Sequence, residues 1–386
     1  MIQLRSVCLS GHLDSFCRKL NELRGFEFVY ESCDPGAMRR RIGWSMGATY
    51  KNEVINASNT ERAKKCDLLI EMLREFDIME YRACTGRKTI YMSERWFKPI
   101  PLISFTLFNR VLMLRLPGVI RLLVPSYRRM VRRFVRLMDN ENFYVLPIGV
   151  HSVIDFVRMY GVLHGKLRWL LWKPHVEIVR CLGGSVKGFP RMKVWGYFVE
   201  SSNVERPETS KDLKHCSLRV LWVGRMVDWK RVDVLIKAFK EIKRNRSIAL
   251  QICGEGPLAA FLRRLAGDDC VEGVQWQAGK ISFSGYVTQD KVRSLMRQAS
   301  VYVMPSNAEE GWGAVVSEAL SEGCSVISTF EAGSSATLLP NENLYHSHSV
   351  QELVYRLESF HGDAVESVAD YWDGENAARK LIELCG

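Results

Sequence analysis

The stretch SLRVLWVGRMVDWKRVDVLIKAF, Ser217 to Phe239, decides the fold. Ser217–Val223 is a short apolar run rich in β-branched and aromatic residues, which predicts a buried strand, and Gly224 ends it. From Arg231 to Arg244 the apolar residues Val232, Leu235, Ile236, Phe239 and Ile242 recur at helical spacing. A buried strand that runs through a glycine into an amphipathic helix is one β/α unit, and the alternation continues downstream. Ser247–Cys253 reads as a strand ending in Gly254-Glu255-Gly256-Pro257. Lys280–Ser284 reads as another, followed by a helix that Thr288 is expected to cap and that carries Val292, Leu295 and Met296. Val301–Met304 is a strand, Gly313–Ser321 a helix and Ser325–Ser328 a strand. Such alternation predicts a parallel, doubly wound sheet.

Upstream the same alternation is looser. Strand-like runs occur at Gln3–Leu9, Phe26–Tyr30, Phe76–Tyr81, Lys88–Met92, Phe143–Ile148 and Met192–Val199, and Leu13, Phe16, Leu20 and Leu23 mark a helix after the first. The polar segment Glu200–Ser210 breaks the pattern and reads as a linker. The chain is therefore expected to be α/β with two Rossmann-like domains, residues 1–200 and 211–372, facing each other across a cleft with ligands at the strand carboxyl ends.

At 386 residues, 47% hydrophobic and 25% charged, the chain has the composition of a folded globular protein rather than a disordered one. Its 11 cysteines are odd in number and widely spaced, without Cys-x-x-Cys, which suits a reducing compartment and argues against a disulfide framework or a structural zinc site. The N-terminal sequence does not read as a signal peptide, and no apolar run is long enough to predict a membrane span.

The net charge of +11 is concentrated, because Pro99 to Met138 contains eight Arg and no Lys, Asp or Glu. Val131, Phe134, Val135 and Met138 fall at helical spacing among Arg128, Arg129, Arg132, Arg133 and Arg136. A basic amphipathic helix of this kind reads as an element for an anionic membrane surface; the alternative is a core helix whose arginines solvate its outer face, against which stands the absence of acidic residues over forty positions. The interleaved residues are mostly aliphatic rather than stacking aromatics, so no nucleic acid partner is expected.

Two segments carry chemistry. Arg225 and Lys230 follow a strand and precede a helix, a guanidinium fork and an ammonium point charge suited to a diphosphate. In PSNAEEGWGAVVSEA, Pro305 to Ala319, the carboxylates Glu310 and Glu318 flank the backbone N–H groups of Gly313, Ala314 and Val315 at a helix start. Carboxylates repel phosphate, so these two are expected to face hydroxyls. Phosphate on cations and amides with hydroxyls on acids is the pattern of a sugar nucleotide. Taken singly, each Glu also reads as an ordinary surface residue. Gly254-Glu255-Gly256-Pro257 follows the second strand of its domain rather than the first, which argues against a dinucleotide fingerprint.

With those segments in view, VGRMVDWKRVDVLIKAF, ICGEGP, FSGYV, ASVYVMPS and EGWGAVVSEALSEGCSVI resemble the C-terminal domain of the family 4 retaining glycosyltransferases, which have the GT-B fold, over about residues 217–330. The resemblance implies that Arg225 and Lys230 contact the donor diphosphate, that Glu318 binds ribose hydroxyls, that Glu310 lies near the donor hexose and that the backbone at Gly285 and Tyr286 holds the base. The donor-binding set is then Gly224, Arg225, Lys230, Gly254, Gly285, Tyr286, Glu310, Gly311, Trp312, Gly313, Ala314, Val315 and Glu318. The resemblance also implies Arg225, Lys230, Glu310 and His151 at the reacting bond, with Gly11 and His12 on the acceptor side. Ser93-Glu94-Arg95 resembles a motif of exopolysaccharide-type members without an assigned role. Ser325 departs from the usual proline, and Trp372 with residues 373–386 resembles the segment that crosses back to the N-terminal domain.

The resemblance implies transfer of a hexosyl group from a nucleotide diphosphate sugar to a lipid-linked or oligosaccharide acceptor in bacterial cell-surface polysaccharide assembly. It implies no metal and no cofactor beyond the co-substrate. The expected setting is cytoplasmic, peripheral on the inner face of the plasma membrane. The alternatives are a non-catalytic sugar-nucleotide-binding scaffold of the same fold, a nucleic-acid-directed glucosyltransferase and a sugar-nucleotide epimerase.

Overall fold

The computed structural model describes residues 2–6, 11–23, 26–30, 55–56, 60–97, 100–107, 110–116, 118–165, 182–199, 218–362 and 372–385. Ser10 and the expected linker Glu200–Ser210 lie outside them. The chain divides into two compact units, one of Met1–Ile103, Met113–Glu200 and Tyr371–Gly386, the other of Ser104–Leu112 and Ser201–Asp370.

In the first unit the strands are β1 (Ile2–Ser6), β2 (Phe26–Tyr30), β3 (Ile55–Asn56), β4 (Leu68–Glu71), β5 (Thr89–Ser93), β8 (Phe143–Pro147), β9 (Ser185–Val186) and β10 (Phe189–Lys193). Among the described residues they form a sheet in the order β3-β2-β1-β4-β5-β8-β10-β9, parallel except for β9. Apart from this sheet, β6 (Ile100–Leu107) pairs with β7 (Arg110–Leu116), their Ser104–Leu112 portion falling with the second unit. The helices are α1 (Gly11–Leu23), α2 (Thr60–Lys65), α3 (Phe76–Cys84), α4 (Pro125–Met138) and α5 (Val150–Leu163). The strand expected at Phe76–Tyr81 is in fact α3. Phe76 and Ile78 suggest alternation, but Met79 and Arg82 are buried too, at the i+3 and i+4 spacing of one helix face. The strand of that region is β4, whose Leu68, Leu69 and Ile70 are buried on both faces as a central parallel strand requires. The run expected at Met192–Val199 ends as a strand at Lys193, with Trp195 making an isolated bridge to Ile148.

The arginine-rich helix α4 spends its apolar face on the core. Val131, Phe134, Val135, Leu137 and Met138 are buried, and the Phe134 ring lies 4.8 Å from those of Tyr91 and Trp96 and 5.3 Å from that of Phe156. That face is therefore unavailable to a membrane. Arg133 also has acidic partners that its own segment lacks: it bonds Glu80 at 2.7 and 2.5 Å and Asp77 at 2.6 Å, both from α3. Arg128, Arg129, Arg132 and Arg136 remain exposed. Among the described residues no helix is long and apolar enough to cross a membrane.

The second unit is a parallel sheet of β11 (Leu218–Val223), β12 (Ile248–Cys253), β13 (Cys270–Glu272), β14 (Ile281–Phe283), β15 (Val301–Met304), β16 (Ser325–Thr329) and β17 (Leu344–Tyr345), in the order β13-β14-β12-β11-β15-β16-β17. Its helices are α6 (Val232–Ile242), α7 (Ala259–Ala266), α8 (Gln289–Gln298), α9 (Ala314–Ser321), α10 (Gly333–Leu338) and α11 (Val350–Glu358). Trp222, Leu235, Phe239, Ile252, Phe283 and Leu353 join strands and helices in one core. Thr288 stands at the start of α8 with the extended backbone of a cap, but its hydroxyl makes no capping bond. The last helix, α12 (Gly374–Cys385), belongs to the first unit, where it packs on α1 while Trp372 stacks on Phe198 at 6.4 Å.

One buried ion pair fastens the first unit at the point where its strand order reverses. Arg5 on β1 donates to Glu71 on β4 at 3.0 Å, both fully enclosed, and Leu73 N–H donates to the other Glu71 oxygen at 2.6 Å. Burial pushes the Glu71 carboxyl up from 4.5 to about 7, against the opposing pull of Arg5 and that amide. Between those values the folded protein holds a proton that the unfolded chain has released, so stability falls as pH rises across this window. Urea unfolding at about pH 5 and about pH 7.5 is expected to show this decline in the wild type. Glu71→Gln, which cannot ionise, should show a flatter decline over the same window.

Candidate functional site

The strand order of the second unit reverses at β11, which has β12 on one side and β15 on the other. In an open parallel sheet the loops leaving such a point diverge and leave a crevice at the carboxyl edge. Here those loops are residues 224–231 after β11 and 305–313 after β15, the two segments that the sequence singles out.

Backbone contacts hold the first of them. Gly224 N–H donates to Cys253 O at 3.0 Å, Gly254 N–H to Gly285 O at 2.7 Å and Met226 N–H to Glu255 O at 2.9 Å, tying the ends of β11, β12 and β14 together. A Cβ on Gly254 would lie 1.9 Å from Gly224 O, so no side chain fits there. Asp228–Lys230 then forms a single 3₁₀ turn, and Arg231 closes it in the left-handed region at φ +48°, secured by a 3.0 Å bond to Asp233. Arg225 is exposed and, among the described residues, pairs with no carboxylate.

The second loop is fastened to the first. Asn307 N–H donates to Trp229 O at 2.8 Å, the Asn307 side-chain oxygen accepts from Glu309 N–H at 2.9 Å and Glu310 N–H donates to Asn307 O at 3.0 Å. This winding delivers Glu310 to Lys230, where Nζ and Oε2 are 2.6 Å apart with side chains only 15% and 13% exposed. Two residues eighty positions apart in the chain thus meet at one point. The Lys230 ammonium carries three N–H donors.

Farther along, α9 begins at Ala314, and as in any helix its first N–H groups have no carbonyl one turn back. Glu318 is half-buried on its second turn. Behind both acids lies Tyr302, enclosed on β15 with its hydroxyl 3.4 Å from Val223 O. Burial pushes the Tyr302 phenol well up, and the Glu310 and Glu318 carboxylates add to the effect. One phenol therefore feels both acids. Lys230, Glu310, Glu318 and the α9 N-terminus are grouped at one edge of one unit.

Trp312 of this loop is buried, and its indole donates to Ser317 at 3.2 Å. Its side chain packs the loop onto α9, with Gly313 buried and Gly311, Ala314 and Val315 half-buried. Tyr286 follows β14 and is 62% exposed. Gly11, His12 and His151 belong to the first unit: Gly11 and His12 open α1, with side chains outside those described, and half-buried His151 stands in the first turn of α5 after β8.

Two contributors escape the sequence reading. Asn307 is 5% exposed, and its amide nitrogen has no hydrogen-bond partner among the described residues, so it offers a donor beside Glu310. Its signal is an Asx turn immediately before the acidic pair. The other is the start of α10. Gly333 N–H donates to Gly311 O at 3.0 Å, Ser334 N–H to Trp312 O at 2.7 Å and the Ser334 hydroxyl to Gly313 O at 3.0 Å. A Cβ on Gly333 would come within 2.5 Å of Gly311 O. Gly333→Ala is accordingly expected to cost about 1–3 kcal/mol in urea unfolding and to displace the loop, weakening binding at this edge more than the stability loss alone explains. Unchanged stability and ligand affinity in that variant would contradict the clamp.

Residues 217–363 match the family model described as glycosyl transferases group 1. The curated relative "Uncharacterized glycosyltransferase MJ1607" of Methanocaldococcus jannaschii is 33% identical over 109 residues, 28% of this chain and 26% of that protein, so the match spans about a quarter of the relative's length. Among solved structures, HepE of Anabaena in complex with UDP covers 99% of this chain and 98% of its own at 15% identity and a TM-score of 0.59. The lipopolysaccharide outer core galactosyltransferase WaaB covers the same shares at 14% identity, also with a TM-score of 0.59. The chain thus has the GT-B fold of two parallel-sheet Rossmann-like units, and the unit that carries the grouped cations and acids matches the glycosyl transferases group 1.

Proposed function

We propose that this protein is a retaining glycosyltransferase that moves a hexosyl group from a nucleoside diphosphate sugar to an acceptor hydroxyl. The observation that carries the reading is the 2.6 Å meeting of Lys230 and Glu310 beside the first turn of α9, a cation, an acid and unpaired amides at one sheet edge. The family match over the same residues and the UDP held by HepE support it.

In this reading the donor diphosphate lies on Lys230, Arg225 and the amides of Ala314 and Val315. Glu318 takes the ribose hydroxyls and Glu310, with Asn307 beside it, the hexose. The bond from the anomeric carbon to the diphosphate oxygen breaks while a bond to the acceptor oxygen forms on the same face, and the acceptor proton passes to a phosphate oxygen. Negative charge accumulates on the leaving diphosphate, where fixed cations and a helix N-terminus stabilise it without reorganising. The same charges make a divalent metal unnecessary, and transfer is expected to survive chelation by EDTA.

Lys230→Ala is expected to lower kcat by about 10²–10³-fold with unchanged circular dichroism. Glu318→Gln should act mainly on the donor KM, because it removes binding away from the reacting bond. Turnover at the wild-type rate in Lys230→Ala would refute the site.

The acceptor in this reading is a lipid-linked glycan of bacterial surface polysaccharide assembly, met at the inner face of the plasma membrane. Because the apolar face of α4 is buried, docking there is electrostatic, through Arg128, Arg129, Arg132 and Arg136, with Leu123 (77% exposed) and Val124 (49%) at the start of the helix. Each arginine contributes about 1 kcal/mol near an anionic leaflet, so docking is reversible and salt-dependent. Flotation with vesicles rich in anionic lipid should recover the wild type at low salt and lose it at high salt. Replacing the four arginines by glutamine should abolish recovery at both, and salt-independent flotation would contradict the reading.

A further inference from the structure

The first unit has its own point of strand reversal, between β1 and β4, and a cluster of charge beside it that the donor chemistry does not use. Its centre is Trp96, just after β5. The Trp96 indole donates to Ser93 Oγ at 3.3 Å, and Ser152 Oγ donates to Ser93 O at 2.9 Å. Phe97 N–H donates to buried Asp155 at 3.0 Å, and Arg95 reaches the same carboxylate at 3.7 Å. The Ser93-Glu94-Arg95 segment thereby fixes the tryptophan.

Three side chains gather on Trp96 from separate elements. The guanidinium of Arg74 lies 4.6 Å over its ring and donates to Tyr91 Oη at 3.1 Å. Arg121 Nη1 and the Tyr127 hydroxyl both donate to Trp96 O, at 3.4 and 3.2 Å. Arg74 stands in the loop after β4 in the left-handed region at φ +64°, unusual for a non-glycine residue. The loop is held there by the Leu73 amide on Glu71. Among the described residues neither Arg74 nor Arg121 is paired with a carboxylate, and the buried Asp155 is taken by Arg95 and Phe97 N–H.

One guanidinium over the Trp96 ring and a second on the Trp96 carbonyl, at the carboxyl edge of a parallel sheet and beside its reversal point, the first held in an enforced backbone conformation, describe a place built for an anion. We infer that Arg74 and Arg121, mounted on Trp96, form a subsite for a phosphate group on the acceptor. This rests on the glycosyltransferase reading and deepens it: the acceptor would be a phosphate ester, of a sugar or of a lipid. Arg74 and Arg121 would be positioning residues that set the acceptor hydroxyl and take no part in bond making.

Hydrogen–deuterium exchange on the full chain with saturating UDP tests this. Glucose 1-phosphate and octyl phosphate, at millimolar concentration, are the probes, with glucose and octyl glucoside as neutral controls. Either phosphate is expected to slow exchange of the amides of residues 72–75 and 96–97 by about fivefold or more, and the neutral probes not at all. Response to glucose 1-phosphate alone would mark a sugar phosphate as the acceptor chemistry, and to octyl phosphate alone a lipid phosphate. Arg74→Gln with Arg121→Gln should lose the protection while keeping that given by UDP at residues 314–318, which shows the variant folded. No protection in the wild type, or equal protection in the double variant, overturns the subsite. Absent UDP protection at residues 314–318 counts instead against the donor reading, so the two failures are distinct.

Discussion

The contact between Lys230 and Glu310 is the constraint on which the site depends. A nearly enclosed ion pair costs desolvation on both partners, and it persists only where the backbone on each side is fixed. The structure supplies that fixing twice. The 3₁₀ turn with its left-handed Arg231 aims Lys230, and the Asn307 turn, bonded to Trp229 O, aims Glu310. Stability alone would be served as well by an apolar pair at this position. Keeping a cation and an acid there, with a helix N-terminus alongside, is sensible when a ligand carries both phosphate and hydroxyl groups.

How far this could be read beforehand depended on which forces act locally. The second unit was legible because its strands are central and parallel: Val220, Leu221, Ile252 and Val303 are buried on both faces and write apolar runs bounded by glycine and helix. Its edge strands β13 and β17 are three and two residues long and leave no such trace. In the first unit, α3 was read as a strand because Phe76 and Ile78 alternate over too short a span, while burial of Met79 and Arg82 shows the helical face. Arg82 illustrates why such a position eludes pattern reading, since its guanidinium is enclosed and donates to the carbonyls of Ala63, Cys66 and Lys88, partners set by tertiary structure.

The donor-side residues were legible as chemical types in order along the chain, and their meeting was not. Spacing placed Glu310 and Glu318 about a loop and a helical turn apart, but the buried phenol of Tyr302 behind both, the free amide nitrogen of Asn307 and the clamp from Gly333 and Ser334 arise only from strands brought together by folding. The arginine-rich stretch shows the converse. Counted along the chain it has no counter-charge, yet Asp77 and Glu80 reach Arg133 from another helix, and the apolar half of the amphipathic pattern is core. What remains outward is a charged face.

The two units use one device at their points of strand reversal. Each anchors the loop there with an ionic contact, enclosed for Arg5 and Glu71 in the first and half-buried for Lys230 and Glu310 in the second, and each follows it with a non-glycine residue in the left-handed region, Arg74 and Arg231. In the proposed function the second of these sites receives a diphosphate. A crystal structure of the protein with UDP tests it most directly. The β-phosphate should lie within about 2.7–3.2 Å of Lys230 Nζ and of the amide of Ala314 or Val315. A diphosphate bound elsewhere, with Lys230 and Glu310 still facing only each other, would contradict it.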